Sequence, residues 1–319
     1  MTATLPDADV NDSRPPAVPP RGRTPRPQKP PKPPRAPRAP MAGEETALTV
    51  STAFIMLAIV CTWVVAQLLV LGGVSQDRAQ ALLYDDFRQQ LAGATAPTGP
   101  VVPAGDPVAV VTAEGIGLEQ VVVEGTASGD TLAGPGHLRN TVLPGQAGTS
   151  VLMGRSSTYG GPFGDLDELG AGDTITVVGA QGTLDFTVLG VRRAGDPQPQ
   201  PLAPGAARLT LVTSEGEGRL AALQPRDVLY VDADAAKGFP APAGRPAAVP
   251  DSEKALAYDT GAFPLLALAL ALLLALTLAI VAARQRWSAA LVWVIASPIA
   301  IALSWATTDV VMRLLPNVI

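Results

Sequence analysis

Residues 130–160 read DTLAGPGHLRNTVLPGQAGTSVLMGRSSTYG, and GPFGDL follows at residues 161–166. Glycine and proline recur through this stretch and interrupt its apolar runs. Residues 149–154 form a short β-rich segment bounded by turn residues. The stretch therefore predicts a strand set among tight turns.

Six further β-rich segments flank this stretch. Each is bounded by Gly, Pro or Asp, and they are residues 107–112, 118–124, 173–178, 183–191, 208–213 and 228–232. Seven or eight strands within about 130 residues predict a closed barrel or a sandwich. A Pro-rich loop at residues 194–206 interrupts the last third, and loops of this length without internal structure are often functional.

Several local motifs occur in a fixed order along the same part of the chain. They are Gly-Pro-Gly-His at 134–137, Leu-Pro-Gly-Gln at 143–146, Ser-Thr-Tyr-Gly at 157–160 with Pro162-Phe163, Leu-Gly-Ala-Gly-Asp at 169–173, and a strand ending Thr-Leu-Val-Thr-Ser at 210–214. In this order they resemble a sortase of the class E-like, actinobacterial type. The resemblance spans residues 106–235 and implies an eight-stranded sortase-like β-barrel outside the membrane.

Sortases cut a sorting signal with a cysteine and transfer the acyl group to an amine. That chemistry needs a thiolate beside an imidazolium, with an arginine that supports the oxyanion. The family histidine follows the glycine matched by Gly154, where this chain has Arg155. The family cysteine matches Ser214, and the family arginine matches Arg226 best, with Arg219 as the other possibility. The resemblance therefore implies a degenerate or inactive member.

Arg155 is a poor substitute for a catalytic histidine. The pKa of an arginine side chain lies above about 12, so at neutral pH it does not exchange a proton with a nucleophile. A serine nucleophile needs an adjacent base, and the candidates beside position 214 are Glu215 and Glu217. The single histidine, His137, belongs to the Gly-Pro-Gly-His motif, and we predict a structural role for it near a turn.

Three kinds of function remain. The first is a non-catalytic envelope protein whose groove binds a sorting-signal-type peptide, a surface protein or a partner sortase. The second is an atypical acyltransferase or hydrolase that uses Ser214, and the third is a structural role in a membrane complex. The groove candidates are Arg155 and Arg226 near the floor, Tyr159, Ser214, and residues 194–206 on the wall.

The chain offers few ligands for a metal or a cofactor, and we expect neither. Cys61 lies within an apolar run, where a packing role is predicted. Asp165, Asp167 and Glu168 could hold calcium weakly, but they fit a solvated helix start better. Residues 73–260 carry twelve basic and twenty-two acidic side chains, a net formal charge of −10, which disfavours nucleic-acid binding.

Three uncharged apolar runs account for a composition that is 47% hydrophobic and only 16% charged. They are residues 47–71, 261–283 and 287–308, each long enough to cross a hydrocarbon core about 30 Å thick. Eight basic side chains precede the first run, and Arg284 and Arg286 separate the last two. Since positive flanks stay in the cytoplasm, we expect a multi-pass protein of the cell membrane with a cytoplasmic N-terminus.

The expected organisation has eight parts. They are a disordered Pro/Arg-rich cytoplasmic tail (1–46), a first transmembrane helix (47–72), a helical stalk at 75–92 with a linker (73–105 together), the barrel (106–235), a linker (236–260), two transmembrane helices (261–283 and 287–308), and an extracellular tail (309–319).

Overall fold

The computed structural model describes Ser51, Phe54, Ala58, residues 61–215 and residues 227–319. The predicted cytoplasmic tail lies outside the described residues, as do eleven of the 25 residues of the first apolar run. Three residues singled out from the sequence also lie outside them: Glu217, Arg219 and Arg226.

The β-rich part of the chain closes into a barrel. The strands are β1 (Pro107–Ala113), β2 (Leu118–Glu124), β3 (Gly136–His137), β4 (Gly148–Met153), β5 (Thr174–Gly179), β6 (Gly182–Arg193), β7 (Ala207–Glu215) and β8 (Asp227–Ala235). Their order around the barrel is β1-β2-β3-β4-β7-β8-β6-β5. The predicted eight-stranded barrel is confirmed. The sequence patterns did not reveal β3, because two residues are too few to show an alternation.

Apolar side chains fill the barrel interior. Leu209 and Leu211 of β7 lie in one buried cluster with Phe186 and Val231 from neighbouring strands. Burying each such side chain contributes about 1.5–3 kcal/mol to folding. The outward residues of β7 are buried as well, so this strand is covered on both faces.

β4 and β7 run parallel beside each other, with Met153 opposite Val212. The pairing continues one step further, because the Gly154 N–H donates to the Val212 carbonyl at 3.0 Å. Parallel neighbours end at the same edge of a sheet, so Arg155 and Ser214 emerge side by side. We call the surface formed by the outer faces of β4 and β7 the groove, and this edge is one end of it.

A helix precedes the barrel and packs against it. A π-helical turn at Gln67–Leu71 leads into α1, Gly72–Ala92, which includes the segment for which the sequence predicts a helical stalk. Phe87 of α1 is 1% exposed and packs on Val110 and Val121 of the barrel. The helix therefore lies along the barrel instead of standing apart from it.

Two long helices follow the barrel, α2 (Phe263–Arg284) and α3 (Ala289–Met312). Within the described residues, two segments are long and apolar enough to cross a membrane, Thr260–Arg284 and Ala290–Met312. Eleven of the 25 residues of the predicted span at 47–71 lie outside the described residues, and this span stays a prediction. The last helix continues through Asp309 to Met312, four residues beyond its predicted end at 308.

Candidate functional site

The site lies at the end of the groove where β4 and β7 finish. It contains Arg155 and Ser214, the two residues whose positions the resemblance matches to the family histidine and cysteine. Residues 313–319, which follow α3, run back onto the barrel and cover both of them; we call these residues the docked segment. Its last four residues are buried.

Arg155 is completely buried. Its Nη2 donates to the carbonyl and to the hydroxyl of Ser128, both at 2.9 Å, and its Nη1 donates to the Thr158 hydroxyl at 3.0 Å and to the main-chain oxygen of Ile319 at 3.4 Å. The guanidinium carbon lies 5.6 Å from the centre of the Tyr159 ring, a cation–π geometry. Burial lowers the pKa of Arg155 to about 10, so the group is still charged at neutral pH.

The positive charge of Arg155 has no Asp or Glu side-chain partner in the part of the chain that the structure describes. Its acceptors are two hydroxyls and two main-chain oxygens, and its Nε has no hydrogen-bond partner among the described residues. A buried charge is costly unless it is well solvated by hydrogen bonds. The main-chain oxygen supplied by the docked segment is therefore part of what keeps this arginine buried.

Ser214 is engaged by the same segment. Its hydroxyl donates to the Val318 carbonyl at 2.8 Å and lies 2.8 Å from the Ser156 hydroxyl. The main-chain N–H groups of Ser156 and Ser214 donate to the same carbonyl at 3.2 and 3.3 Å. Three donors thus converge on one carbonyl oxygen, and the serine hydroxyl faces an acceptor that cannot take its proton.

The neighbouring carboxylate does not act on Ser214. Glu215 forms a bidentate ion pair with Arg193, with both N···O distances at 2.6 Å. This pair lowers the pKa of Glu215 and makes its carboxylate a weaker base. Glu215 therefore pairs with Arg193 and not with Arg155, and Glu217 lies outside the described residues.

Side chains anchor the docked segment at several points. The Val318 side chain packs between Met153 and Val212 on the groove floor. The Asn317 amide donates to the carbonyls of Thr126 and Lys254 at 2.6 and 2.9 Å.

The main chain of the docked segment is anchored as well. The Ser128 hydroxyl donates to the Leu315 carbonyl at 2.7 Å. The Asn317 N–H donates to the Ala257 carbonyl at 3.2 Å. The segment is therefore held through both its main chain and its side chains.

Tyr159 faces Leu68 and the end of α3 and not the groove. Its backbone is left-handed, with φ at +50°, and its hydroxyl donates to the Asp309 carboxylate at 2.8 Å. Burial and this contact raise the pKa of Tyr159. Gln67 donates to the same carboxylate oxygen at 3.2 Å. The turn that contains Tyr159, the π-helical turn that contains Gln67, and α3 therefore meet at Asp309.

The rest of the groove is open. A cavity of about 360 Å³ adjoins the docked segment and shares Met153 and Val212 with it. Gln198 and Pro199 of the predicted wall loop border this cavity.

The charged side chains of the cavity are paired. Arg192 lies 2.5 Å from Asp232 and stacks 4.1 Å from the centre of the Tyr230 ring. Arg208 lies 2.6 Å from Asp234. These pairs satisfy the charges without a ligand.

His137 is held inside the barrel wall. Its Nδ1 lies 2.7 Å from a Glu124 carboxylate oxygen, and its Nε2 lies 2.8 Å from the Val142 carbonyl. Both ring nitrogens are engaged, which is the geometry of a structural histidine.

The carboxylates considered for calcium do not form a cluster. Asp165, Asp167 and Glu168 are exposed around a short turn. Among the described residues no group of three or more His, Cys, Asp or Glu side chains is placed to hold a metal ion.

The sequence patterns placed Arg155 and Ser214 together but missed the docked segment. Residues 309–319 were expected to be an extracellular tail, and no contact with the barrel was predicted for them. Five of the last six residues are apolar, Leu314, Leu315, Pro316, Val318 and Ile319, and this composition was the available signal for burial. Arg155 is also not on an open groove floor as expected, because residues 128 and 158 and the docked segment enclose it.

Comparison with known proteins agrees with this geometry. The Sortase domain family model matches residues 111–235. This part of the chain is a sortase-like domain. None of the curated proteins matches the sequence.

Solved sortase structures are similar to the same part of the chain. A sortase D5 transpeptidase of Clostridium perfringens has 20% identity and a TM-score of 0.41, covering 49% of this chain and 97% of its own. The sortase C of C. perfringens with the C-terminal cell wall sorting motif has 20% identity and a TM-score of 0.36, covering 49% and 87%. Sortase C-1 of Actinomyces oris has 22% identity and a TM-score of 0.33, covering 47% and 97%.

Proposed function

We propose that the protein is a membrane-anchored, non-catalytic member of the class E-like sortases in the bacterial cell envelope. In this proposal its groove binds an extended peptide segment of a surface protein or of a partner sortase. The observation that carries the proposal is the state of the former reaction centre. The groups that replace the nucleophile and its proton donor, Ser214 and Arg155, both bind peptide main chain.

Binding of a peptide is the natural use of such an arrangement. The N–H groups of Ser156 and Ser214 present two parallel donors, and the hydroxyl of Ser214 adds a third. Main-chain donors recognise any extended peptide, while side-chain pockets such as that between Met153 and Val212 supply selectivity. A sortase C structure contains a cell wall sorting motif, which makes a sorting-signal-type peptide the ligand class to test first.

Membrane anchoring is supported by the surface of α2 and α3. Large apolar side chains are exposed along both helices, including Leu268, Leu274, Val294 and Ile301. Such a surface is unfavourable in water and suits lipid. The barrel and the docked segment lie at the same end of α3, which fits a barrel outside the membrane and Arg284 on the cytoplasmic side.

Absence of sortase activity is the first test. The purified full chain, incubated with a sorting-motif peptide and an amine acceptor, should leave the peptide intact, because losing one member of a catalytic group commonly costs several orders of magnitude in rate. A serine-directed acylating probe tests the alternative enzyme. Stable labelling that is lost in Ser214→Ala would replace this proposal with a serine acyltransferase or hydrolase.

Binding in the envelope is the second test. A photocrosslinking residue placed at position 198, on the border of the open cavity, should capture a surface protein or a sortase in intact cells. The same residue at position 185, on the exposed face of β6, is the control. Equal capture at both positions would argue against a groove-specific partner.

Orientation has its own test. With Cys61 replaced by alanine, a cysteine at position 200 should react with a membrane-impermeant maleimide in wall-permeabilised cells, and one at position 20 should not. The reverse pattern would overturn the proposed topology.

A further inference from the structure

The docked segment binds the groove as a ligand would. The Val318 carbonyl occupies the point where the N–H of Ser156, the N–H of Ser214 and the Ser214 hydroxyl converge. The geometry is that of a peptide main chain held at a prepared site.

Recognition of the segment is concentrated in three consecutive residues, two of them bound through their side chains and the third through its main-chain oxygen. Asn317 uses its amide as a double donor, Val318 enters the apolar gap on the groove floor, and the Ile319 oxygen accepts from Thr158 and Arg155. An amide side chain is required at the first position because both of its partners are carbonyl oxygens. A compact apolar side chain suits the second.

The burial of Arg155 favours an occupied site over an empty one. Its charge is fully buried and, among the described residues, lacks an Asp or Glu side-chain partner. Removing the docked segment would take away one of its main-chain acceptors and expose Thr158. An occupied site is therefore more stable than an empty one, whether the occupant belongs to this chain or to another.

We propose that this end of the groove is a binding site for extended peptides of the pattern amide side chain followed by two β-branched residues, and that residues 313–319 are its resident ligand. The inference rests on the proposed peptide-binding function and specifies the ligand class and its competitor. A partner peptide must displace the docked segment before it can reach Arg155 and Ser214. The adjoining cavity of about 360 Å³ stays accessible meanwhile.

Tethering sets the size of the expected competition. A segment joined to its site acts at an effective concentration on the order of 1 mM. A segment whose own Kd as a free peptide is about 0.1 mM or lower therefore raises the apparent Kd of an external peptide at least about 10-fold. Deleting the segment should therefore strengthen external binding by at least about 10-fold.

Hydrogen exchange on the full chain in lipid nanodiscs tests occupancy directly. The amides of Ser156 and Ser214 should exchange at least about 10-fold faster after deletion of residues 314–319, since their common acceptor is removed. Asn317→Asp, which is nearly isosteric but replaces the donors with acceptors, should accelerate the same amides. Asn140→Asp places the same charge change on an exposed asparagine and should leave them unchanged.

Protection of β1 and β2 reports whether the barrel remains folded in each variant. If the deletion unfolds the barrel, the Asn317→Asp comparison decides the question. The decisive quantity is the exchange rate of the Ser156 and Ser214 amides. If this rate is unchanged in a folded Asn317→Asp protein, and also in the deletion variant where that variant folds, this segment does not occupy the site.

A labelled peptide with the sequence of residues 313–319 tests the ligand class. It should bind the deletion variant at least about 10-fold more tightly than the full chain, and replacing its asparagine with aspartate should abolish the gain. Equal weak binding of both peptides would overturn the proposed pattern. If the peptide binds as expected but position 198 captures no envelope protein in cells, the proposed function fails while the resident-ligand inference stands.

Discussion

The two halves of the groove satisfy their arginines in different ways. In the open half, Arg192 and Arg208 pair with Asp232 and Asp234, so the charges are balanced by side chains of the barrel itself. In the closed half, Arg155 is balanced by hydroxyls and main-chain oxygens, one of which belongs to the docked segment. The open half is complete without an occupant, whereas the closed half depends on one.

Because of this difference, we expect the closed half to determine which ligands the groove selects. A ligand entering the open half must compete with existing ion pairs or leave them intact, which gains little. A ligand entering the closed half meets convergent donors and a buried cation. In the proposed non-catalytic protein, Arg155 and Ser214 therefore contribute to a main-chain recognition site.

The largest effect is expected from removing the buried cation. Arg155→Met should lower the free energy of unfolding by about 3 kcal/mol, since it strands the Ser128 and Thr158 acceptors and loses their charge-assisted bonds. Arg208→Met in the open half should cost about 1 kcal/mol, because its partner Asp234 remains partly solvated. Denaturation of the two full-length variants in the same detergent measures both.

Equal costs for the two arginine variants would break the comparison between the halves. A stabilising Arg155→Met would show that its charge is a burden retained for ligand binding. In that event the hydrogen-exchange rates of Ser156 and Ser214 should still rise in the variant, since the Ile319 oxygen loses one donor.

A smaller effect is expected from the carboxyl of Asp130, which lies near Glu253, Arg139 and Arg313 at the closed half. Burial and then Glu253 raise its pKa from 3.8 to about 6. Because the folded protein holds this proton more tightly than the unfolded chain, the associated stability is present below about pH 4 and is lost as pH rises through 6. Asp130→Asn should therefore raise stability at pH 8 by about 1–2 kcal/mol, after allowance for solvent screening.

The control for Asp130 is the same measurement at pH 4, where the asparagine variant and the native chain should agree. Asp106→Asn, at an exposed position outside this cluster, should change stability little at either pH. If the stability difference between the native chain and Asp130→Asn is the same at pH 4 and at pH 8, the raised pKa assigned to Asp130 is wrong.

The barrel was predictable because its signals are local. Alternating β-rich segments and the glycine and proline turns between them located seven strands, and the ordered motifs placed Arg155 and Ser214 near one another. The surroundings of these residues were not predictable in the same way. The docked segment reaches Ser214 across more than a hundred positions of sequence, and no local pattern encodes a contact of that span.

The orientation of the Tyr159 side chain was also not predictable from the sequence. Its place in the Ser-Thr-Tyr-Gly motif suggested a groove residue, but its left-handed backbone turns the side chain toward Asp309. A non-glycine residue with positive φ is costly and persists where surrounding contacts fix it. Here a buried ring and a carboxylate on another helix supply those contacts, and both come from tertiary structure.

The link between the barrel and α3 can be measured at Tyr159. Tyr159→Phe removes the hydroxyl that donates to Asp309 and should cost about 1 kcal/mol. Tyr230→Phe in the open half keeps the ring under Arg192 and should cost less than about 0.5 kcal/mol. Thermal unfolding of the two variants compares them, and a larger loss for Tyr230→Phe would reverse the assignment of the two tyrosines.

The smallest effect is expected at Ser214, the residue that would matter most in an enzyme. Ser214→Ala removes one of three donors to the Val318 carbonyl, but the N–H groups of Ser156 and Ser214 remain. The loss should therefore be about 0.5 kcal/mol, with the amides of both residues still slow to exchange. Ser150→Ala is a matched control, since its buried hydroxyl has no partner among the described residues, and it should change stability no more than this. A peptide-binding site tolerates the loss of one donor among three, whereas a serine enzyme loses its reaction when the nucleophile is removed. A Ser214→Ala protein that folds normally but no longer supports its function in cells would favour the enzyme over the binding protein.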